Sequence, residues 1–265
     1  MDPAHHIPLC TIAGSDPTGG AGLQGDLKTF AAHGGTGTAV VTAITVQGRQ
    51  GVSRVELLPP DLVVEQLQVV LDEVRPTGLK TGMVGEAPQI RAIADVLATR
   101  DGGALVVDPV MAATAGGDLL AGGALPALVE ALIPLADVIT PNLGEGARLL
   151  GRETLPEAEM EEAARALLGL GCGAVLLKGG HGTGAEAVDV LATRDGEIHR
   201  LALPRLEGVV AHGTGCALAA ALAARLAGGT RLVRAAAQAK AYVHRARAAA
   251  AARGPGAALV HAVRA

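Results

Sequence analysis

The sequence predicts an α/β fold in which helices cover both faces of a mostly parallel central sheet. Short β-branched runs alternate with longer Ala- and Leu-rich segments, which is the order typical of a doubly wound sheet. The strand candidates are continuous apolar runs, as expected where both sheet faces are buried. Hydrophobic residues make up 49% of the 265 residues, and no repeat or linker interrupts the chain. We therefore predict one domain over residues 1–265.

Strand and helix candidates follow one another along the whole chain. The predicted strands are Leu9–Ala13, Ala39–Val46, Leu79–Gly82, Ala104–Asp108, Asp137–Thr140, Ala174–Lys178, Val188–Ala192 and Ile198–Leu203. The predicted helices are Gly22–Ala32, Pro60–Val74, Pro88–Ala98, Leu125–Ile133, Leu143–Leu150, Pro156–Leu170, Cys216–Ala227 and Arg231–Ala252. The last two strands flank Arg194-Asp195-Gly196, so we expect them to form an antiparallel hairpin.

Composition excludes several classes of partner and location. With no Trp, one Tyr and one Phe, the chain cannot build an aromatic platform for single-stranded nucleic acid, and a net charge of −4 argues against a polyanion. We expect no signal peptide, since no basic segment precedes an apolar stretch near the amino terminus. The uncharged stretches Thr29–Gly48 and Gly208–Ala224 contain Gly, Thr and His, which favours burial in protein over a membrane span. Three distant cysteines without zinc-ligand spacing indicate a reducing cytoplasm.

Polar and glycine residues follow six predicted strands in succession. These segments are Gly14–Gly22, Gln47–Gly48, Thr81–Met83, Asp108–Met111, Thr140–Asn142 and Lys178–His181. Ordinary turn composition explains any one of them. Ligands of open parallel sheets bind outside the carboxyl ends of the strands, so six such ends together predict a binding site there.

The segment His212-Gly213-Thr214-Gly215-Cys216 opens a predicted Ala-rich helix. Backbone N–H groups at a helix start, with two glycines removing side-chain bulk, are suited to bind phosphate or a developing oxyanion. The helix dipole at this position favours a thiolate at Cys216. The alternative is a glycine turn followed by a small buried cysteine.

Four residues at strand ends are candidates for phosphate and metal chemistry. Asn142 and Glu145 are three positions apart at a helix start, where Glu145 is placed to organise Mg²⁺ through water, although an isolated pair of this kind is more often a helix start with a solvated Glu. Asp108 ends an apolar strand and needs a partner or a cation. Lys178, at the matching position of another strand, is a candidate to neutralise phosphate, unless it only extends its ammonium group to solvent.

The sequence supports neither of two common nucleotide-binding motifs. Gly20–Gly25 matches GxGxxG, but a dinucleotide site needs an acidic residue ~20 positions on, and no Asp or Glu lies between Asp26 and Glu56. The GxxxxGK[ST] phosphate loop is absent from the sequence. We interpret Gly20–Gly25 as a tight loop that lets a substrate approach the backbone.

Seven motifs in this order resemble the hydroxymethylpyrimidine/phosphomethylpyrimidine kinase family of thiamine biosynthesis, within the ribokinase-like superfamily. They are TIAGSDPTGGAGLQGDLKTF from Thr11, VTAITVQ ending at Gln47, KTGM from Lys80, VVDPVM from Val106, ITPNLGE from Ile139, LLKGGH from Leu176 and HGTGCALAAALA from His212. The resemblance implies a three-layer α/β/α fold and a homodimer. It also implies phosphorylation, with ATP and Mg²⁺, of 4-amino-5-hydroxymethyl-2-methylpyrimidine and then of its monophosphate.

The resemblance also implies roles for individual residues. Gln47 corresponds to the glutamine that binds the pyrimidine, and Gly14, Asp26 and Met83 to residues that line the same pocket. The segment with Gly213, Thr214 and Gly215 corresponds to the anion hole, and Cys216 to the cysteine proposed to activate the substrate hydroxyl. Asn142 and Glu145 correspond to the N-x-x-E motif associated with Mg²⁺ and ATP. With them we place Lys178 and His212 in the ATP site and Asp108 at the metal.

The sequence departs from the family pattern in two places, and three other functions are alternatives to the one that the resemblance implies. Gln47-Gly48-Arg49 replaces the common QNT, and Ala112–Gly116 replaces a segment with Lys-Ser-Gly, which removes a possible phosphate contact. A pyridoxal or pyridoxine kinase shares these motifs, while a pyrimidine sensor would not need the anion hole with Asn142 and Glu145. A sugar kinase is disfavoured because Cys216 stands where most such kinases carry an aspartate. Lid candidates are Ala112–Gly117 and Gly179–Gly184.

Overall fold

The computed structural model describes residues 7–48, 51–112, 119–180, 182, 184–206, 212–253 and 259–262. Within these residues, nine strands join one sheet in the order β3-β2-β1-β4-β5-β6-β7-β8-β9. The strands are β1 (Ile7–Ser15), β2 (Gly35–Gly48), β3 (Gly51–Leu57), β4 (Gly78–Thr81), β5 (Ala104–Val107), β6 (Val138–Ile139), β7 (Ala174–Lys178), β8 (Glu186–Thr193) and β9 (Ile198–Pro204). The six strands from β2 to β7 in this order are parallel, which confirms the predicted sheet type.

Helices cover both faces of the sheet, as predicted. They are α1 (Gly22–Ala32), α2 (Pro60–Glu73), α3 (Ala87–Ala98), α4 (Ala124–Ala127), α5 (Leu143–Leu149), α6 (Met160–Leu168), α7 (Thr214–Ala227) and α8 (Leu232–Ala251). One buried cluster packs α2 to α6 against the sheet, and a second, rich in alanine, packs α1, α7 and α8 against the other face. Small alanine side chains let α7 lie close to the strands, so its first turn sits directly at the sheet edge.

Apart from shifts of up to four residues at the ends of elements, the structure differs from the predicted elements in three places. Strand β3 was not predicted, because its side chains are half-buried or exposed and it contains Arg54 and Glu56 instead of an apolar run. The predicted helix 125–133 is α-helical only in α4, followed by a π-helical turn Leu128–Leu132 and a 3-10 turn Ile133–Leu135, where Pro134 has no N–H to continue the helix. The first turn of the predicted helix 156–170 is the 3-10 turn Glu157–Glu159.

Parallel pairing brings the carboxyl ends of the inner strands to one edge. Ile12 pairs with Val40 on one side and with Thr81 on the other, and the ladder then runs through Val107 and Ile139 on successive strands. The predicted hairpin is present as the antiparallel pair β8 and β9. Among the described residues, no helix has the length and apolarity needed to cross a membrane.

Candidate active site

A cavity of about 390 Å³ opens at the carboxyl edge of the sheet. Twelve of the thirteen candidate site residues line it: Gly14, Gln47, Met83, Asp108, Asn142, Glu145, Lys178, His212, Gly213, Thr214, Gly215 and Cys216. The exception is Asp26. Residues at the carboxyl ends of six parallel strands and at the starts of α5 and α7 therefore form one site, as the succession of polar strand ends predicted.

The first turn of α7 faces this cavity with its backbone N–H groups. The helix begins at Thr214, two residues before the predicted start, so Gly215 and Cys216 both lie in the first turn. Gly213 adopts φ +84°, and a Cβ there would lie 1.9 Å from the carbonyl oxygen of Gly20. Only glycine allows the loop after β1 and the start of α7 to approach so closely. No described side chain caps the helix, which leaves its first N–H groups available for an anion.

Cys216 is half-buried at the cavity wall. Burial raises the pKa of its thiol; Lys80 opposes this effect, while Asp26 and Asp108 add to it. The expectation of a resting thiolate was wrong for the free protein, because loss of hydration and two nearby carboxylates outweigh the helix dipole and Lys80. Cys216 therefore carries its proton at neutral pH.

A buried ion pair occupies the cavity floor between β5 and β7. Lys178 Nζ lies 2.9 Å from Asp108 Oδ1, which also accepts a hydrogen bond from Thr140 Oγ1 at 2.9 Å. Burial alone would raise the pKa of Asp108, but Lys178 and Lys80 hold it below its usual value. Burial would likewise lower the pKa of Lys178, but Asp108 and Glu145 hold it above its usual value. Lys178, whose side chain is 13% exposed, is therefore a largely buried cation at the cavity and not a lysine that reaches out to solvent.

Asn142 and Glu145 form a reciprocal cap at the start of α5. Asn142 Oδ1 accepts the backbone N–H of Glu145 at 2.9 Å, and Glu145 Oε2 accepts that of Asn142 at 2.8 Å. Glu145 is 8% exposed, so the alternative of a solvated glutamate is wrong. Burial, together with the nearby Asp108 carboxylate, raises the pKa of Glu145 to about 7, although Lys178 and the hydrogen bonds oppose the shift.

A second buried ion pair, Asp26 and Lys80, was only partly anticipated. Lys80 Nζ lies 2.8 Å from Asp26 Oδ2, both side chains have no exposed surface, and Thr11 Oγ1 donates to the same oxygen at 2.6 Å. Lys80 lines the cavity and Asp26 lies behind it, so the expectation that Asp26 lines the substrate pocket was wrong. The sequence signal for Lys80 is a lysine within the four-residue buried strand β4, where an unpaired cation would be costly.

The loop after β1 is held by Asp16 and reaches His212 and Gln47. Asp16 accepts hydrogen bonds from the backbone N–H groups of Thr18 and Ala21. His212 Nε2 is 3.0 Å from Asp16 Oδ2 and 2.9 Å from Gln47 Nε2. His212 was expected in the ATP site with Asn142 and Lys178. Its contacts are instead with Gln47 and the loop after β1, because Gly213 turns the chain towards that loop.

The opposite end of the cavity is walled by α8, which the sequence did not suggest. Lys240 Nζ lies 2.8 Å from Asp189 Oδ2, and Asp189 Oδ1 accepts the backbone N–H of Gly179 at 3.1 Å. His244 also lines this end and contacts the carbonyl oxygen of Pro204 at 2.9 Å. The pair ties α8 to the residue that follows Lys178, so it helps to fix the position of that lysine.

Two features singled out in the sequence fall outside the described residues. Arg49, which departs from the family pattern beside Gln47, is one of them. The other is the segment Ala112–Gly116 in place of Lys-Ser-Gly, together with the first lid candidate Ala112–Gly117, of which only Ala112 is described. The second lid candidate also includes the undescribed residues 181 and 183. The described residues contain no group of three or more His, Cys, Asp or Glu side chains arranged to hold a metal.

Comparison with known sequences identifies the chain's family and its relatives. The family model described as phosphomethylpyrimidine kinase matches residues 16–261. The chain is 48% identical, over 88% of each protein, to the hydroxymethylpyrimidine/phosphomethylpyrimidine kinase of Rhizobium meliloti. It is 45% identical to the thiamine biosynthesis bifunctional protein ThiED of Geobacter sulfurreducens, over 89% of this chain and 48% of that longer protein.

Two solved structures extend the comparison to the fold. The phosphomethylpyrimidine kinase of Clostridium difficile superposes with a TM-score of 0.79 at 38% identity, over 91% of this chain and 99% of that one. The pyridoxal kinase of Staphylococcus aureus, in complex with AMP-PCP and pyridoxal, gives 0.82 at 34% identity, over 91% and 88%. The predicted ribokinase-like fold is therefore confirmed.

Proposed function

The chain belongs to the phosphomethylpyrimidine kinase family, and from that premise we propose its substrates and the roles of its residues. The protein transfers the γ-phosphoryl group of ATP to the hydroxymethyl oxygen of 4-amino-5-hydroxymethyl-2-methylpyrimidine, and then phosphorylates the monophosphate, for thiamine biosynthesis. One observation carries the proposal: a single cavity contains the family's pyrimidine-binding glutamine, Gln47, together with the start of α7 and the ion pair of Lys178 and Asp108. Its charge and free cysteines support a cytoplasmic enzyme.

Phosphoryl transfer requires mainly positioning and charge stabilisation. We assign the pyrimidine to the end of the cavity that contains Gln47, Gly14 and Met83, and the triphosphate to the floor near Lys178 and Asn142. The N–H groups of the first turn of α7 stabilise charge on the transferred group, and each well-placed donor contributes ~3 kcal/mol by analogy with oxyanion holes. A bond forms between the hydroxymethyl oxygen and the γ-phosphorus as the bond to the β-phosphate oxygen breaks, and the hydroxyl loses its proton.

Cys216 is positioned to receive that proton, but only in its thiolate form. Burial raises its pKa above the ordinary value of a cysteine, so the thiol keeps its proton at neutral pH. The base role therefore depends on the bound substrates or on Lys80 to favour the thiolate. Retention of the full kcat by Cys216→Ala would exclude this role and leave the anion hole and Lys178 as the main contributors.

The residues at the floor fit a magnesium ion that is held mainly by phosphate and water. Mg²⁺ uses one or two protein carboxylates and keeps several waters. Asp108 and Glu145 are two such carboxylates, and both line the cavity. Asp108 Oδ2 also lies close to the first turn of α7, since a Cβ placed on Gly215 would be 3.8 Å from it. When bound, Mg²⁺ neutralises phosphate charge. Asp108 and Glu145 would hold it, while Lys178 provides a fixed positive charge beside them.

A pyridoxal kinase is the second candidate, favoured by the similarity to the Staphylococcus aureus enzyme. The experiment that separates the two measures ATP consumption by the purified protein with Mg²⁺, using hydroxymethylpyrimidine, its monophosphate, pyridoxal and ribose in parallel. We expect turnover of both pyrimidines at a higher kcat/KM than pyridoxal. Preference for pyridoxal would move the function to vitamin B6 salvage, and tight pyrimidine binding without turnover would support a sensor.

We also propose that the enzyme is a homodimer. The large hydrophobic side chains that are most exposed in the described chain lie on β2 and α2: Ile44, Val46, Leu62 and Val69 are each at least 43% exposed. Ile44 and Val46 share one face of β2, as expected for part of an interface. Light scattering should give a dimer for the wild type and a monomer for Val46→Glu; a monomeric wild type would contradict the proposal.

A further inference from the structure

Three polar side chains contact one another at the pyrimidine end of the cavity. His212 Nε2 lies 3.0 Å from Asp16 Oδ2 and 2.9 Å from Gln47 Nε2. One ring nitrogen carries either a hydrogen or a lone pair, so it cannot donate to Asp16 and also accept from an amide N–H. The hydrogen positions that satisfy all three groups therefore decide which way the Gln47 amide faces.

The carboxylate of Asp16 determines the hydrogen on His212. Asp16 is almost completely buried and accepts the N–H groups of Thr18 and Ala21 at 2.9 and 2.8 Å, together with the Thr18 hydroxyl. Burial alone would raise the pKa of Asp16, but these hydrogen bonds hold it below its usual value. Since an ionised carboxylate only accepts hydrogen bonds, His212 Nε2 carries the hydrogen and donates it to Asp16.

With that hydrogen in place, an amide NH2 of Gln47 would meet the N–H of His212 without an acceptor between them, so the amide fits only when its oxygen faces His212 and shares the Nε2 hydrogen with Asp16. The oxygen and nitrogen of a side-chain amide have nearly the same shape, so their hydrogen-bond partners assign them. Turning the amide over exchanges its oxygen and nitrogen. The oxygen then lies beside His212, and the NH2 group takes the oxygen's former position, 3.4 Å from Thr45 Oγ1. Thr45 donates its own hydrogen to Ser15 O at 2.8 Å, so its lone pairs are available to accept from the amide.

The imidazole ring of His212 is itself held in place by the glycines around it. A Cβ on Gly20 would lie 2.8 Å from His212 Cδ2, so the ring packs directly on the backbone of the loop after β1. Gly213, the next residue, makes its own close approach to the carbonyl oxygen of Gly20. The ring therefore has little freedom to leave Gln47.

We propose that His212 is a specificity-determining residue, which fixes the Gln47 amide so that an acceptor and a donor face the substrate side by side. The inference rests on the proposed function. An amide oxygen has a second lone pair and an amide nitrogen a second hydrogen, so both can bind a ligand while His212 and Thr45 hold their other sides. That pair complements the exocyclic amine and adjacent ring nitrogen of a 4-aminopyrimidine. Pyridoxal has no amine beside its ring nitrogen.

The test compares His212→Leu with His212→Gln, which keeps an N–H donor. The matched control is His199→Leu. The two histidines have similar exposure, 32% for His199 and 31% for His212, and each lies 3.0 Å from a carboxylate, that of Glu197 or Asp16. Of the two, only His212 lines the cavity. We expect His212→Leu to raise the KM for the pyrimidine about tenfold, as for loss of one hydrogen bond, with less than threefold change in the KM for ATP. The control should match the wild type, and His212→Gln should recover part of the loss.

Parallel measurements with pyridoxal separate specificity from a general loss of binding. The ratio of kcat/KM for pyrimidine over pyridoxal should fall at least fivefold in His212→Leu, and calorimetry without ATP should show the same weakening of pyrimidine binding. An unchanged ratio would overturn the inference, as would a loss confined to kcat, which would place His212 at the phosphoryl group. If His212→Leu does not fold, His212→Gln decides by the same ratio. Absence of pyrimidine turnover by the wild type would instead refute the proposed function.

Discussion

Substitution of Gly213 by alanine tests whether the close approach of two backbones builds the anion hole. Gly213 has φ +84°, and a Cβ there would lie 1.9 Å from the carbonyl oxygen of Gly20. Gly229, beyond the other end of α7, has φ +77° with nothing within 4 Å of its Cβ position. Both variants therefore place an alanine in the left-handed region, but only Gly213→Ala adds a collision with backbone.

The difference between the two variants follows from these contacts. The left-handed conformation costs about 1–2 kcal/mol for a residue with a Cβ, so Gly229→Ala should lower Tm by about 2–8 °C. A collision that forces the backbone to shift adds about 1–3 kcal/mol, which gives a total of about 2–5 kcal/mol for Gly213→Ala. The same shift moves the N–H groups of the first turn of α7. Because each such donor contributes about 3 kcal/mol to the transition state, kcat should fall about 100-fold or more.

Thermal unfolding and steady-state kinetics with the pyrimidine and MgATP measure both effects. We expect Gly229→Ala to keep kcat within about twofold of the wild type, since Gly229 lies outside the cavity. Equal unfolding and equal kcat in the two variants would refute the reasoning, because the collision would then have no consequence. A stability loss in Gly213→Ala with an unchanged kcat would show that the first turn is not the anion site.

Two further predictions concern the buried charges and the cysteines. Lys80→Met and Asp26→Asn each leave one buried charge unpaired and should each cost about 3–5 kcal/mol in urea unfolding, whereas the double variant should cost less than the sum; additive losses would show that the pair is not coupled. Cys10 and Cys172 have no exposed surface, so alkylation of the native protein reports Cys216. The raised pKa of Cys216 predicts slow alkylation at pH 7 that accelerates only at pH values above the ordinary range of a cysteine pKa, and a fast reaction at pH 7 would contradict it.

The parts of the fold that the sequence predicted well are those where one physical signal dominates. Strand β7 matches its predicted bounds because four consecutive apolar residues, followed by Lys178, are buried on both faces. Helix α1 matches as well, since glycines and a histidine bound its apolar periodicity. Strand β3 was missed because it is an edge strand whose partly exposed side chains carry no apolar run.

The candidate site was predicted as a set of residues but not as a set of contacts. Polar strand ends identify Asp108 and Lys178 from the sequence, because parallel strands bring their carboxyl ends together. Which side chain neutralises which depends on distances between strands that are far apart in the chain: Lys178 and Asp108 are 70 residues apart, and Lys80 and Asp26 are 54 apart. The contact of His212 with Asp16 spans 196 residues, so local patterns could not assign it to the pyrimidine end.

The charges at the cavity floor give a physical reason for the cation that the family implies. Three carboxylates, Asp26, Asp108 and Glu145, face two ammonium groups, Lys80 and Lys178, so full ionisation leaves one excess negative charge. The pKa of Glu145, raised to about 7, agrees with this excess: burial is the largest cause of the rise, and the negative charge of Asp108 adds to it. A triphosphate alone would increase this excess, while a divalent cation beside Asp108 and Glu145 would offset it. The floor is therefore better suited to a metal–nucleotide complex than to the free nucleotide. Lys178 provides a fixed positive charge beside Asp108 and Glu145.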